Sequence, residues 1–145
     1  MDAVRVQTVD FDPGAELERL RRDCGGRAGA LVSFTGLVRD LNDGARVSEL
    51  RLEHYPGMTE KVLAELAAYA TAQWSLVGSV IIHRVGPLKP NERIVFVAVA
   101  SAHRQAAFQA CAYLIDELKQ RAPFWKQEAT PAGARWVTAA QPRED

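Results

Sequence analysis

What the chain lacks narrows it first. It has only two cysteines, Cys24 and Cys111, without metal-ligand spacing, and its three histidines never form an H-x-x-x-H pair. Neither a disulfide framework nor a metal centre is expected. Eighteen basic side chains cancel eighteen acidic ones, which removes the broad field that draws nucleic acid or a membrane surface; an anion site has to be a local cluster. No apolar run approaches the roughly 20 residues that span a bilayer. Met1-Asp2-Ala3 leads straight into an alternating segment and not into a signal peptide, so a soluble cytoplasmic protein is expected. Neither a P-loop nor a G-x-G-x-x-G is present, and repeats, low-complexity tracts and linkers are missing. A chain this long buries roughly 68–70% of its unfolded surface without a staple, so residues 1–145 read as one domain.

What is present alternates between two periods. Residues 3–9 alternate like a strand, and Pro13 opens a helix that closes at Cys24-Gly25-Gly26. Residues 30–38 and 47–55 are β-rich and are expected to pair through an Asn42-Asp43-Gly44 turn. Val62, Leu63, Leu66, Ala67 and Ala70 follow helical spacing, predicting a helix from Met58 to about Trp74. Residues 80–85 and 93–100 are the most strand-like runs, joined by a hairpin connection with Pro87 and Pro90. Ser101 is the expected N-cap of a helix carrying Ala107, Phe108, Cys111, Leu114, Ile115 and Leu118 up to Pro123. A last strand takes in Arg135-Trp136-Val137. The sum is an α+β domain with about three helices and a mainly antiparallel sheet.

Chemistry concentrates after the last helix, in Lys119-Gln120-Arg121-Ala122-Pro123-Phe124-Trp125-Lys126-Gln127-Glu128. Pro123 has no N–H and disfavours helix at Ala122, so Lys119 ends a helix while Lys126 lies on an extended return. The two ammonium groups then converge on a pocket for an anion, walled by Phe124 and Trp125; solvated surface lysines are the plainer alternative. Ser101-Ala102-His103-Arg104 begins a helix, where free N–H groups and the dipole favour a phosphate. An ordinary decorated first turn fits the same residues. Arg39 follows Phe34-Thr35-Gly36-Leu37-Val38 at a strand end and is suited to gripping an anion bidentately. Cys111 sits mid-helix as a small core residue. Arg104 and Lys119 are fifteen positions apart on one predicted helix, roughly 22 Å, so one small ligand reaches both only across a symmetric dimer.

These motifs, in this order over residues 29–137, resemble the large, catalytic subunit of molybdopterin synthase. They include Leu52-Glu53-His54-Tyr55-Pro56-Gly57-Met58 and His83-Arg84-Val85-Gly86. The resemblance implies an α/β-hammerhead-like fold and a sulfurtransferase that converts cyclic pyranopterin monophosphate to molybdopterin, without a cofactor of its own. Sulfur comes in that family from the C-terminal Gly-Gly thiocarboxylate of a small ubiquitin-like subunit, and the large subunits form a homodimer within a heterotetramer. By motif, Lys119 and Lys126 match the catalytic lysines, and Arg39, His103 and Arg104 match substrate-binding residues. Leu37, Val38, Gln127 and Glu128 fall in substrate-contacting stretches, although Gln127 departs from the basic residue expected there. Lys119 is expected to orient and polarise the reacting groups, and Lys126 to bind or to transfer protons. Two other readings differ in class: a non-catalytic module that captures an acidic C-terminal tail, and a sulfur carrier using a Cys111 persulfide.

Overall fold

Two strands buried on both faces organise the protein, whose computed structural model describes residues 2–138. Met1 and residues 139–145 of the expected domain lie outside the described residues. Strands β6 (Gly78–Arg84) and β8 (Arg93–Ser101) run antiparallel, with Ile81 opposite Val97. Side chains alternate across a sheet. Val80, Ile82, Phe96, Ala98 and Ala100 therefore meet helix α1 (Pro13–Cys24), while Ile81, Val95, Val97 and Val99 meet helices α2 (Met58–Trp74) and α3 (Arg104–Arg121). Covered on both sides, these strands show a continuous apolar run instead of alternation. Strand β1 (Asp2–Gln7) adds parallel to β6, and β2 (Ala30–Leu37) adds antiparallel to β8, giving the order β1-β6-β8-β2.

Helix α1 begins where its sequence directs. Asp12 caps α1, its carboxylate accepting from the Ala15 N–H at 3.2 Å, and Pro13 occupies the first turn. On α3, Ala107, Ala110, Cys111, Leu114, Ile115 and Leu118 form the buried stripe. Its N-cap differs from expectation. Ser101 still pairs with Ala30 in the sheet, so the helix starts two residues later with His103 as N-cap, and the Ser101 hydroxyl only accepts from the His103 N–H at 3.3 Å.

A second sheet corrects a pairing. Strand β5 (Glu49–His54) does not join β2; it lies between β7 (Gly86–Leu88) and β9 (Phe124–Thr130), and β10 (Gly133–Thr138) pairs with β9. The Asn42-Asp43-Gly44 turn closes only its own hairpin of β3 (Leu41–Asn42) and β4 (Ala45–Arg46), with positive φ at Asp43 and Gly44. The partner of β2 is β8, and a bulge at Gly36/Leu37 turns the chain away before the hairpin begins. The short β7 also breaks up the expected hairpin connection between β6 and β8. All pairs except β1·β6 are antiparallel.

Candidate functional site

The exit from α3 builds one wall of a cavity of about 310 Å³. Ala122 turns extended (φ −74°, ψ 130°), as the residue before proline should, while its N–H still closes on the Leu118 carbonyl. The Pro123 carbonyl accepts from the buried Thr59 hydroxyl at 3.0 Å, which pins the turn to the start of α2. Beyond it the period of two takes over. Phe124, Lys126 and Glu128 face the cavity together with Lys119 and Leu118, whereas Trp125 and Gln127 point to the other face of β9. Lys119 and Lys126 thus converge from two different elements. Trp125 does not wall the pocket as expected; it packs on Tyr55, with ring centroids 5.0 Å apart.

The opposite wall comes from the end of β2. A Cβ on Gly36 would sit 2.5 Å from Val95 Cγ1, so only glycine lets the two strands close here. The bulge that follows redirects Leu37, Val38 and Arg39 to the cavity rim, and Val38 is fixed by its N–H on the Glu92 carbonyl at 3.0 Å. The small hairpin is then latched to β9. The Asn42 amide donates to Glu128 Oε2 at 2.7 Å, Arg135 Nε donates to Oε1 at 3.0 Å, and Arg135 Nη2 donates to the Asn42 carbonyl at 2.8 Å. Glu128 is 3% exposed, and these charge-assisted bonds allow its burial.

The cavity carries three cationic side chains, Arg39, Lys119 and Lys126, against an apolar floor that includes Phe34, Val95 and Leu118. An anion entering it meets donors in a partly water-excluded space, where charge interactions strengthen. His83 also lines it. Burial pushes this imidazole down to about 3, against the pull of its bond to the Arg84 carbonyl and with smaller help from the neighbouring Lys126, His54 and Lys119. It is neutral at working pH.

Of the residues singled out in the sequence, Leu37, Val38, Arg39, Lys119, Lys126 and Glu128 meet at this cavity, while His103, Arg104 and Gln127 do not line it. His103 and Arg104 lie exposed at the far end of α3. Sequence reasoning gave no role to His83 or Asn42. A polar residue closing a continuous apolar strand was the available signal for His83, because buried polar groups need partners; Asn42 had none beyond its turn propensity. Cys111 is buried and its thiol is pushed up to about 11 by desolvation, so it is a poor nucleophile for carrying sulfur. Among the described residues no group of three or more His, Cys, Asp or Glu is placed to hold a metal ion, and no helix is long and apolar enough to cross a membrane.

Known proteins share both the sequence and this architecture. The family model described as "MoaE protein" matches residues 6–121. A molybdopterin synthase catalytic subunit from Ralstonia nicotianae is 56% identical over 141 residues, covering 96% of this chain and 78% of the relative. The structure of the molybdopterin biosynthesis MoaE protein from Burkholderia ambifaria superposes with a TM-score of 0.85 at 47% identity, covering 99% of this chain and 94% of that one. A Helicobacter pylori protein–protein complex of subunits 1 and 2 of molybdopterin-converting factor shares the fold, with a TM-score of 0.76 at 17% identity over 92% of this chain and 89% of that one.

Proposed function

Because the chain belongs to the MoaE family, whose relatives are enzymes named as molybdopterin synthase catalytic subunits, we propose that its reaction is a sulfur transfer. The substrate is cyclic pyranopterin monophosphate, and the donor is the C-terminal thiocarboxylate of a small ubiquitin-like subunit. The observation that carries this reading is the convergence of Lys119 and Lys126 with Arg39 on one cavity. A phosphate needs fixed cations, a thiocarboxylate tail needs a positive channel, and an acyl thioester intermediate needs donors at its developing oxyanion. In this scheme Lys119 orients and polarises the reacting groups, and Lys126 binds the anion or moves protons. Leu37 and Val38 shape the rim, while Glu128 acts by holding the hairpin rather than by touching an anion. Gln127 contributes only through its backbone.

The two-subunit Helicobacter pylori complex supports a similar pairing here. His103 and Arg104 enter the scheme from a second copy of the chain, within a heterotetramer built on a homodimer, since their own cavity lies at the other end of α3. The cytoplasm, where this substrate and partner would meet the enzyme, is the proposed compartment.

The test is reconstitution. The purified protein, the thiocarboxylated small subunit and cyclic pyranopterin monophosphate should yield a dithiolene detectable by mass spectrometry. Lys119→Ala should keep partner binding and lower the rate about 100- to 1000-fold, the usual cost of removing a preorganised charge-stabilising donor. Full turnover by this variant, or a stable complex of the wild type that makes no product, would overturn the proposal; the second result would leave a tail-binding module.

A further inference from the structure

The cavity holds a group unlike its cations. Arg39, Lys119 and Lys126 can only donate hydrogen bonds, and Glu128 has one oxygen on Asn42 and the other on Arg135. His83 differs. Its Nδ1 lies 2.9 Å from the Arg84 carbonyl, and because a carbonyl only accepts, the proton sits on Nδ1 and Nε2 keeps its lone pair. The ring is stacked on Phe124, with centroids 4.0 Å apart and planes at 24°, so it is held rigidly beside the turn that separates the two lysines. His83 is 6% exposed and is one of the residues that line the cavity.

We infer that His83 reads the ligand: its Nε2 accepts a hydrogen bond from an N–H or O–H donor of the molecule that Arg39, Lys119 and Lys126 hold. The inference rests on the sulfur-transfer reading and adds a specificity element to it. The cations select charge and would take any small anion. A rigid, neutral acceptor among them favours a ligand that presents a donor beside its anionic group, and it does so without neutralising the site. Both the ring N–H groups of a pterin and the peptide N–H groups of a partner's tail have that chemistry.

Three substitutions separate the two ring nitrogens. His83→Asn offers an amide N–H near the Nδ1 position and removes the acceptor at Nε2; His83→Gln carries an amide oxygen toward the Nε2 position; His83→Phe keeps the stack on Phe124 and loses both nitrogens. Each is assayed with the thiocarboxylated partner and varied cyclic pyranopterin monophosphate, and partner affinity is measured by calorimetry. His83→Asn, melting with the wild type, should lose about tenfold in kcat/KM or in partner affinity, and His83→Gln should recover most of it. A raised KM for the pterin assigns the donor to the heterocycle, and a weakened partner Kd assigns it to the tail; both support the inference. Wild-type kinetics and affinity in folded His83→Asn or His83→Phe overturn it, as does equal impairment of the Asn and Gln variants. An inactive wild type with a competent partner overturns the sulfur-transfer reading and this inference together, whereas an active wild type with indifferent His83 variants overturns this inference alone.

Discussion

The two ends of α3 hold basic side chains in unlike surroundings. At the C-terminal end, Lys119 is half-buried beside a cavity walled by a second element carrying Lys126, a latched hairpin and a stacked histidine. At the N-terminal end, His103 and Arg104 are exposed, and the N-cap side chain makes no capping bond. Either end suits its charge on simple grounds: a lysine near helix carbonyls, an anion near helix N–H groups. Only one end has walls. A basic cluster becomes a site when neighbouring elements exclude water around it and fix its geometry, and roughly 22 Å of helix keeps Arg104 from sharing the cavity of its own chain.

The sharpest way to break that contrast is to divide it between chains. In the proposed two-fold assembly, Arg104→Ala and Lys119→Ala variants should each be nearly inactive. When their subunits are exchanged at random, half of the dimers are mixed, and each mixed dimer has one site free of both lesions. Activity should then return to about a quarter of wild type if the site is shared across a two-fold axis. Full activity of Arg104→Ala alone would mean that Arg104 has no part in the site, and no recovery after verified exchange of two inactive variants would rule out sharing across the axis.

A smaller effect belongs to the walled end alone. In the unfolded chain His83 takes up a proton near pH 6.5, but in the fold only near 3. Between those values the unfolded state binds more protons, so stability falls as pH drops from 6.5 towards 3, by at most about 1.4 kcal/mol per pH unit, and this group contributes no slope above that range. Urea unfolding at pH 7 and pH 5 should show the wild type losing more stability than His83→Asn. Equal losses would assign the acid sensitivity to other groups.

The smallest effect lies between the two ends. Cys111→Ser, in the buried middle of α3, should leave turnover within about twofold and cost roughly 1–2 kcal/mol for burying a hydroxyl. Abolished turnover in a folded variant would restore the persulfide reading and make the helix centre chemical rather than structural.

Much of this was legible along the chain. The stripe from Ala107 to Leu118 has a helical period, residues 80–85 and 93–100 carry apolar runs, and Pro123 forces the break that sends Lys126 back towards Lys119. Such features depend on neighbours within a turn or a pleat. Residues 30–38 and 47–55 do not pair although they are neighbours along the chain, because β2 finds β8 more than fifty residues away and hairpin logic holds only for adjacent strands. Ser101 looked like a cap because its residue type favours caps, but a sheet register decided its backbone. Trp125 and Gln127 were grouped with Lys126 as one motif, and the strand period put them on the opposite face.

Propensity, periodicity and capping act over a few residues, so the chain alone dictates the helical stripes, the apolar faces and the proline turn between two lysines, while the start of α3 also depends on the sheet. The assembly of distant segments settles instead that Glu128 serves the hairpin through Asn42 and Arg135 and that His83 is buried with its Nδ1 on the Arg84 carbonyl. Burial and hydrogen-bond satisfaction are properties of surroundings assembled from distant segments, and no local pattern encodes which segments those are.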